Sequence, residues 1–253
     1  MIPKIIHYCW FGGNPLPELA KKCITSWKIY CPYYEIKEWN ESNFDLNCYD
    51  YVREAYKSKK WAFVSDVARL HALVTEGGIY IDTDVEVIKS LDTLLQYSAV
   101  SGFESITSIS TGLMACEKDD PMFKEFLDGY KTAHFILPDG TLDKTTNVVR
   151  ITNTCLKYGF VPNNKKQTIN TFTILPKDYL CPKNLYTRKI DITENTLIIH
   201  HFNGSWQSDE ERLNGKWRRD IYRKFPIIYA VVKKIKLYRA CKAIRKSNNL
   251  FNK

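Results

Sequence analysis

Residues 77–84 constrain the fold of this chain more than any other segment, and they read Gly77-Gly78-Ile79-Tyr80-Ile81-Asp82-Thr83-Asp84. The glycines suit the end of a helix, and the apolar residues after them predict a short buried strand. Side chains at i and i+2 of a strand point to the same face, so Asp82 and Asp84 are expected to aim at one spot. Such a pair suits a hard divalent ion, Mn²⁺ or Mg²⁺, whereas an isolated Asp-x-Asp is more often a solvated turn.

The segment upstream, residues 61–74, predicts a helix because the apolar residues at 64, 67, 68 and 72 fall at helical spacing. Asp66 and Arg69 are at i and i+3, so they share a face of that helix. A surface ion pair explains this spacing, and so does a clamp that holds sugar hydroxyls near a metal. The spacing alone leaves these two interpretations even. The helix, the glycines and the strand together favour a functional Asp-x-Asp over a solvated turn.

Three segments resemble, in the same order, a large family of glycosyltransferases that have a DXD sugar-binding region. They are the opening at residues 2–13, the run Ser65-Asp66-x-x-Arg69 with residues 77–84, and residues 198–206. The family includes fungal initiating mannosyltransferases and bacterial capsule or lipopolysaccharide glycosyltransferases, and it is related to the catalytic domain of the clostridial glucosylating toxins. The resemblance spans residues 1–206 and leaves the C-terminal segment uncovered.

The resemblance implies an α/β fold of the GT-A type, a Rossmann-like domain that binds nucleotide-diphosphate sugars. It implies a retaining transferase that uses Mn²⁺ or Mg²⁺ and moves a sugar from a nucleotide-sugar donor to a glycan acceptor. We expect a UDP-sugar donor and a lipid-linked acceptor, in the biosynthesis of bacterial capsule, O-antigen or lipopolysaccharide. A mannosyltransferase that uses GDP-mannose is the alternative within the same class.

The resemblance also implies roles for individual residues. The implied catalytic residues are Asp66, Arg69, Asp82 and Asp84. The implied nucleotide-sugar contacts are His7, Tyr8, Trp10, Ser65, Asp66, Arg69, Tyr80, Asp82, Ser205 and Trp206. The implied metal ligands are Asp82 and Asp84, together with His200 or His201. The choice between the adjacent histidines stays open, because successive side chains on a strand face opposite ways.

Trp10 follows the first predicted strand and precedes Gly12-Gly13. Ligands of open α/β sheets bind at that end of the strands, so we interpret Trp10 as a platform for uracil, with a core aromatic as the alternative. Glu104 also follows a predicted strand, and we interpret it as a solvated acid rather than a pocket residue. Asn147 lies where the family element is often rich in glycine and proline, so the resemblance gives it no secure role.

The chain has 253 residues, of which 44% are hydrophobic, and it can therefore bury a full core. We expect a GT-A catalytic domain at 1–215 and a basic amphipathic helical tail at 216–253. A helix is predicted at 121–133, two strands at 98–116, and an acceptor-side loop at 134–150. The eight cysteines form no C-x-x-C pair, which favours buried thiols in a reducing cytosol.

Residues 216–253 contain 13 lysines and arginines and one acid, a net charge of +12, so that the rest of the chain carries −3. Apolar residues between 222 and 238 interleave with these bases. The pattern predicts a helix that lies on an anionic membrane, so we expect a cytoplasmic protein that is peripheral at the inner face of the cell membrane. A solvated tail is the plain alternative, and nucleic acid is a rival partner that we do not expect.

Two function classes therefore remain open. The first is a metal-dependent glycosyltransferase, and the second is a non-enzymatic basic protein that binds membrane or nucleic acid through its tail. A glycosidase fits less well, because it needs two acids on either side of a sugar, whereas i and i+2 acids on one strand suit a metal.

Overall fold

The computed structural model describes residues 1–185, 187–204, 209–225, 227–228, 230–232, 234–235 and 238. The strands are β1 Ile5–Cys9, β2 Glu35–Trp39, β3 Gly78–Ile81, β4 Val85–Val87, β5 Ala99–Ser105, β6 Ser108–Ile109, β7 Leu113–Cys116, β8 Gln167–Ile169, β9 Phe172–Leu175 and β10 Ile198–His200. The helices are α1 Glu18–Tyr30, α2 Asp50–Lys57, α3 Trp61–Glu76, α4 Pro121–Asp128, α5 Asn147–Lys157, α6 Lys177–Leu180 and α7 Asp209–Lys224, with a short 3-10 helix at Asp92–Leu94.

A central mixed sheet has the strand order β2-β1-β3-β7-β5-β9-β8, with β6 paired to β5. Strands β2, β1, β3, β5 and β9 run in one direction, whereas β7 and β8 run against it. The carboxyl ends of β1, β3 and β5 therefore lie at the same edge of the sheet. A second, two-stranded antiparallel sheet pairs β10 with β4. The α/β class predicted from the sequence is confirmed.

Apolar side chains pack on both faces of the central sheet. One core joins α2, α3 and α4 to the sheet through residues such as Tyr51, Leu70 and Phe123. The other core lies on the side of α1, β4 and α6 and includes Trp27 and Ile79. The two helical layers bury the strands, which explains why β3 and β7 consist of buried residues throughout.

The turn between α3 and β3 requires glycine at both positions. Gly77 and Gly78 have φ of 72° and 100°, in the region that residues with a Cβ rarely adopt. A Cβ on Gly77 would lie 2.6 Å from the backbone nitrogen of Lys118, and one on Gly78 would lie 2.7 Å from the carbonyl of Ile5. The glycines therefore let the chain reverse tightly enough to start β3 beside β1.

Two of the predicted element boundaries differ in the structure. The 98–116 segment contains three strands instead of two, because the chain turns at 105–108 and a bulge interrupts the β5–β6 pairing. Helix α4 starts as predicted, where the Asp120 carboxylate accepts from the Met122 and Phe123 N–H groups, but it ends at Asp128, before Gly129. The division into a catalytic domain at 1–215 and a tail at 216–253 stays a prediction, and residue 215 lies within α7.

Two further findings concern the described part of the chain. Its seven cysteines are all free, and six of them are buried. None of its helices combines the length and the hydropathy that are needed to cross a bilayer.

Candidate functional site

Asp82, Asp84 and His200 form a cluster whose ligand atoms all lie within 4.8 Å of one another. Asp82 follows β3 directly, and a tight turn from its carbonyl to the Val85 N–H carries the chain through Asp84 into β4. Strand β10 pairs with β4 so that His200 lies opposite Val85, which brings a distant part of the sequence to the Asp-x-Asp turn. The His200 Nε2 lies 3.3 Å from the Asp84 Oδ1.

The donor atoms of this cluster fit a divalent cation. Two carboxylates and one imidazole converge, and the buried Nδ1 of His200 has no hydrogen-bond partner among the described residues. That nitrogen packs against Gly112, where a Cβ would lie 2.8 Å from it. The histidine is thus held in place by packing on one side and by Asp84 on the other.

The Asp84 carboxylate is tightly held. Burial alone would raise the pKa of Asp84, but the His200 imidazole and the Asn203 N–H lower it to about 2. The Asn203 N–H donates to Oδ2 at 2.7 Å, and the His201 N–H donates to the Asp84 carbonyl at 2.9 Å. Burial opposes the charge on His200, yet the neighbouring Asp84 raises the pKa of His200 well above its usual value.

His201 lies outside this cluster. Its Nε2 is 2.9 Å from Glu86 Oε2, and Glu86 also pairs with Lys22. The side chains of His200 and His201 point in opposite directions, as expected for neighbours at the end of a strand. Of the two histidines that the sequence left as alternatives, the structure brings His200 to the aspartates.

Arg69 connects the Asp82-Asp84-His200 cluster to Asp66. Its Nη1 is 3.0 Å from Asp82 Oδ1, and its Nη2 is 3.1 Å from Asp66 Oδ1. The guanidinium also donates to the Thr111 carbonyl at 2.9 Å and lies 4.4 Å from the centre of the Tyr80 ring. The Asp66 and Arg69 side chains are only 11% and 7% exposed, so they form a buried network rather than a surface ion pair.

Asp66 is also held from the far side. The backbone N–H of Asn147 donates to Asp66 Oδ2 at 3.2 Å, and the side-chain amide of Asn147 donates to the Asp66 carbonyl at 2.7 Å. The Tyr130 hydroxyl in turn donates to the Asn147 Oδ1 at 2.8 Å. Burial raises the pKa of Asp66 to about 6, against the opposing effect of Arg69. Asn147, whose role the sequence left open, therefore positions Asp66.

Tyr80 and Ser65 occupy supporting positions. The Tyr80 hydroxyl donates to Asp82 Oδ1 at 2.8 Å, the same oxygen that Arg69 contacts. The Ser65 hydroxyl donates to the Trp61 carbonyl at 3.1 Å, and the Ser65 carbonyl accepts from Arg69 Nε at 3.2 Å. Both residues thus contact the network around Arg69.

Trp10 is half-buried just beyond β1, at the sheet edge where β3 reaches Asp82. Its indole N–H donates to the Asn14 carbonyl at 2.6 Å, which fixes the ring. Tyr8 lies on the same face of β1, but it is buried against Trp27 and its hydroxyl donates to Glu38. Trp10 is therefore the one of these two with an accessible ring.

His7 requires a correction, because it supports the site from within the core and has no surface for a ligand. It is fully buried, its Nε2 lies 2.8 Å from the Gly77 carbonyl, and its Nδ1 accepts from the Trp39 indole at 3.1 Å. Both ring nitrogens are thus committed, and burial lowers the pKa of His7. A neutral His7 holds the glycine turn that precedes β3.

Ser205 and Trp206, the remaining predicted contacts, lie outside the described residues. Glu104 is a residue whose environment differs from the sequence interpretation of a solvated acid. It lies near the end of β5 and is partly buried, with His200, Asp82 and Lys177 as its charged neighbours. Burial raises the pKa of Glu104. Its position at the end of a predicted strand was the available sequence signal for a residue of the site. The periodicity of the sequence could not show that residues of α6 and β10 lie near it.

Comparison with known proteins gives the site a family context. Residues 17–101 match a protein-family model described as the glycosyltransferase sugar-binding region containing the DXD motif. Inositol phosphoceramide mannosyltransferase 3 of Schizosaccharomyces pombe is 34% identical over 128 residues, which are 47% of this chain and 35% of that protein. The chain thus spans about a third of the length of this relative.

An uncharacterised glycosyltransferase of Acanthamoeba polyphaga mimivirus is 28% identical over 222 residues, 81% of this chain and 84% of the relative. Among solved structures, a glycosyltransferase involved in the glycosylation of the major capsid of PBCV-1 aligns at 15% identity with a TM-score of 0.46, over 85% of this chain and all of that one. A structural similarity with this TM-score adds nothing to the topology described above.

Proposed function

We propose that the chain, whose residues 17–101 match the model of a DXD-containing glycosyltransferase sugar-binding region, is a metal-dependent, retaining glycosyltransferase that uses a nucleotide-sugar donor. The observation that supports this proposal most strongly is that the candidate metal cluster is in direct contact with the Asp66–Arg69 pair. Asp82 belongs to the Asp82-Asp84-His200 cluster and also contacts Arg69, which contacts Asp66. A metal-bound diphosphate and the sugar attached to it therefore have adjacent binding residues.

Asp84, His200 and Asp82 are the residues that would hold the metal. A bound divalent ion supplies Lewis acidity that stabilises the negative charge on a leaving diphosphate. A donor set with an imidazole favours Mn²⁺ over Mg²⁺, because Mg²⁺ prefers oxygen ligands and retains much of its water. The Asn203 N–H and the His200 ring hold the Asp84 carboxylate in a single orientation.

Asp66 and Arg69 would bind hydroxyl groups of the donor sugar. Both side chains are buried and each is held by a second contact, Asp66 by Asn147 and Arg69 by the Thr111 carbonyl. Such fixed groups lose little conformational freedom when a substrate binds. Glu104, near Asp82 and His200, would face the acceptor hydroxyl.

Trp10 would stack on the base of the donor, and we propose uridine for that base. The half-buried ring and the fixed indole N–H suit a stacking platform at the sheet edge. The fungal relative is named a mannosyltransferase, so GDP-mannose is the alternative donor that a test has to include.

The acceptor would be a lipid-linked glycan at an anionic membrane, as in the biosynthesis of a bacterial surface polysaccharide. The tail supports this proposal through its charge of +12 and through apolar residues that are at least 44% exposed. They include Phe225, Ile227, Ile228, Val231, Ile235 and Tyr238. Basic and apolar residues together are typical of segments that lie on a membrane surface. We therefore propose a location at the cytoplasmic face of the cell membrane.

A panel of UDP- and GDP-sugars tests the proposal, with release of the nucleotide measured without added acceptor. We expect one UDP-sugar to be hydrolysed in the presence of Mn²⁺ and to be stable in excess chelator. A clear preference for GDP-mannose would mean that the donor is GDP-mannose rather than a UDP-sugar. Equal hydrolysis with and without chelator would mean that the reaction needs no metal. If the protein neither binds nor hydrolyses any of these donors, the proposed function is wrong.

A further inference from the structure

A cleft of about 270 Å³ lies between α4 and α5, and the function proposed above gives it no role. Its floor is apolar, because the buried side chains of Phe126 and Ile151 line it. The other lining side chains are polar or charged, and they belong to Thr145, Arg150, Asn153, Thr154 and Lys157. An apolar floor with a few polar groups around it is typical of small-molecule sites, and a cleft of this volume suits a ligand such as a single sugar ring.

The polar side of the α4–α5 cleft is one face of α5. Arg150, Thr154 and Lys157 stand at i, i+4 and i+7, with Asn153 beside them, so their side chains follow one line along the helix. The Thr154 hydroxyl donates to the Arg150 carbonyl at 3.2 Å. The side chains of Asn153 and Lys157 are exposed and have no hydrogen bond or ion pair in the described part of the chain. These two groups are therefore available to a ligand.

Gly129 leaves the cleft open on the side of α4. Its φ of −59° and ψ of −12° are helical values that any residue adopts, so the backbone does not require glycine here. A Cβ at this position would lie 3.4 Å from the Phe126 carbonyl, which is an ordinary van der Waals contact. The fold therefore tolerates a side chain at Gly129, and a larger residue there would reduce the volume of the cleft.

The charges that line the cleft are positive. Two of the lining residues, Arg150 and Lys157, are cations, and none of them is an acid. Asp143, which does not line the cleft, pairs with Arg150 at 2.5 Å and offsets that charge. On α4, Glu125 accepts from the Tyr158 hydroxyl at 2.6 Å and also lies outside the lining. The Lys157 charge is the one that favours an anionic ligand.

Arg150 connects the cleft to the candidate sugar-binding residues. Its guanidinium lies 4.8 Å from the centre of the Tyr130 ring. The Tyr130 hydroxyl donates to Asn147, and Asn147 in turn holds Asp66. The cleft therefore lies on the Asp66 side of the candidate site, and α5 contributes residues to both.

We propose that the α4–α5 cleft binds an acidic sugar unit of a glycan. The apolar floor takes the C–H face of the sugar ring. The Asn153 amide and the Thr145 hydroxyl bind hydroxyl groups of the ring, and the Lys157 ammonium binds the carboxylate. This binding uses neither a metal nor a nucleotide, so the inference goes beyond the proposed function and does not depend on its donor.

The test compares ligands that differ in one group. Nuclear magnetic resonance titration of the ¹⁵N-labelled full chain measures the affinity for glucuronate, for glucose, which has a hydroxymethyl group in place of the carboxylate, and for inorganic phosphate, which has no sugar ring. The variants are Gly129→Leu, Lys157→Ala, Asn153→Ala and Lys28→Ala. Lys28 is an exposed lysine in the last turn of α1, as Lys157 is in the last turn of α5, so Lys28→Ala is the matched control.

We expect glucuronate to shift the signals of the residues that line the cleft and to bind about tenfold more tightly than glucose or phosphate, as for one charge-assisted hydrogen bond. Lys157→Ala should remove this advantage and leave the glucose affinity unchanged. Asn153→Ala should weaken the binding of both sugars. Gly129→Leu should abolish glucuronate binding, and Lys28→Ala should bind as the wild type does.

Equal affinities for glucuronate and glucose, or signal changes only outside the cleft, would overturn the inference. So would phosphate that binds in the cleft as tightly as glucuronate, because the ligand would then be an anion without a sugar ring. Wild-type affinity in a Gly129→Leu variant with a native circular dichroism spectrum would place the ligand elsewhere. If Gly129→Leu does not fold, wild-type glucuronate affinity in both Lys157→Ala and Asn153→Ala would overturn the inference equally.

The titration and the nucleotide-release assay fail independently. Glucuronate binding by a protein that uses no nucleotide sugar would support the cleft as a sugar site and refute the transferase function. Nucleotide release by a protein that does not bind glucuronate would refute the inference alone.

Discussion

The Nη1 of Arg69 lies 3.0 Å from Oδ1 of Asp82, and through this contact the helix α3 is connected to the aspartates that follow β3. The same guanidinium contacts Asp66 at 3.1 Å. One buried cation therefore fixes two acids on different elements, and the geometry of the whole candidate site depends on it.

Arg69→Ala should destabilise the protein far more than the loss of a comparable surface pair. The substitution leaves the buried Asp66 without its cation, which costs about 3–5 kcal/mol for a buried pair. Asp50 and Arg53 have the same i, i+3 spacing but are 48% and 40% exposed, so Arg53→Ala should cost less than about 1 kcal/mol. Urea unfolding of both variants checks this, and similar losses would contradict the buried network.

Asp66 should make the free energy of unfolding fall as the pH rises from 4 to 7. Its pKa in the folded protein is about 6, against an ordinary value of 3.8. Between these values the folded state binds more protons than the unfolded state, so rising pH removes stability. The wild-type protein should therefore lose up to about 3 kcal/mol relative to Asp66→Asn across this range, measured without metal. If the difference in unfolding free energy between the two proteins does not change with pH, the pKa of Asp66 is not raised in the folded protein.

Trp10→Ala should weaken UDP binding by about 1–3 kcal/mol, the range for a base stacked on an aromatic ring. Trp10→Phe should retain most of the affinity because it keeps a flat ring. Trp217, which is 65% exposed on α7, provides a matched control, and Trp217→Ala should bind UDP as the wild type does. Isothermal titration distinguishes the three variants, and an unchanged affinity in Trp10→Ala would remove this residue from the site.

Truncation after Phe225 should abolish binding to anionic liposomes while donor hydrolysis continues. The cut keeps α7 complete and removes most of the exposed apolar residues of the tail. Each basic residue near an anionic surface contributes about 1 kcal/mol, and salt should weaken the attraction. Cosedimentation at low and high salt measures this. Equal liposome binding by the full and the truncated chain would exclude a membrane role of the tail. Tighter binding to nucleic acid than to liposomes would mean that nucleic acid is the partner of the tail.

The sequence predicts the parts of the site that depend on local pattern. The glycines at 77 and 78 and the acids at 82 and 84 indicate a helix end, a strand and a pair of carboxylates, and the structure has this order. The choice between His200 and His201 depends on the register of β10 against β4. Register between strands far apart in the chain leaves no local signal, so the sequence could not decide it.

The same reason explains the residues whose environments were not foreseen. Burial of His7 depends on Gly77 and Trp39, which approach it only in the folded sheet. Glu104 and Asn147 occupy ordinary positions in the sequence, and their surroundings come from α6, β10 and α3. Secondary structure follows from periodicity, whereas the neighbours of a polar residue follow from packing.

The central claim is that Asp82, Asp84 and His200 form the metal site. Mn²⁺ binding, followed by electron paramagnetic resonance, tests it on the wild-type protein and on Asp84→Asn, His200→Gln and His201→Gln. Adjacent histidines make the last two variants a matched pair, with circular dichroism to check the fold of each. We predict that Asp84→Asn and His200→Gln weaken Mn²⁺ binding by at least about tenfold and that His201→Gln binds as the wild type does. Wild-type affinity in folded His200→Gln, or a loss confined to His201→Gln, would contradict this account.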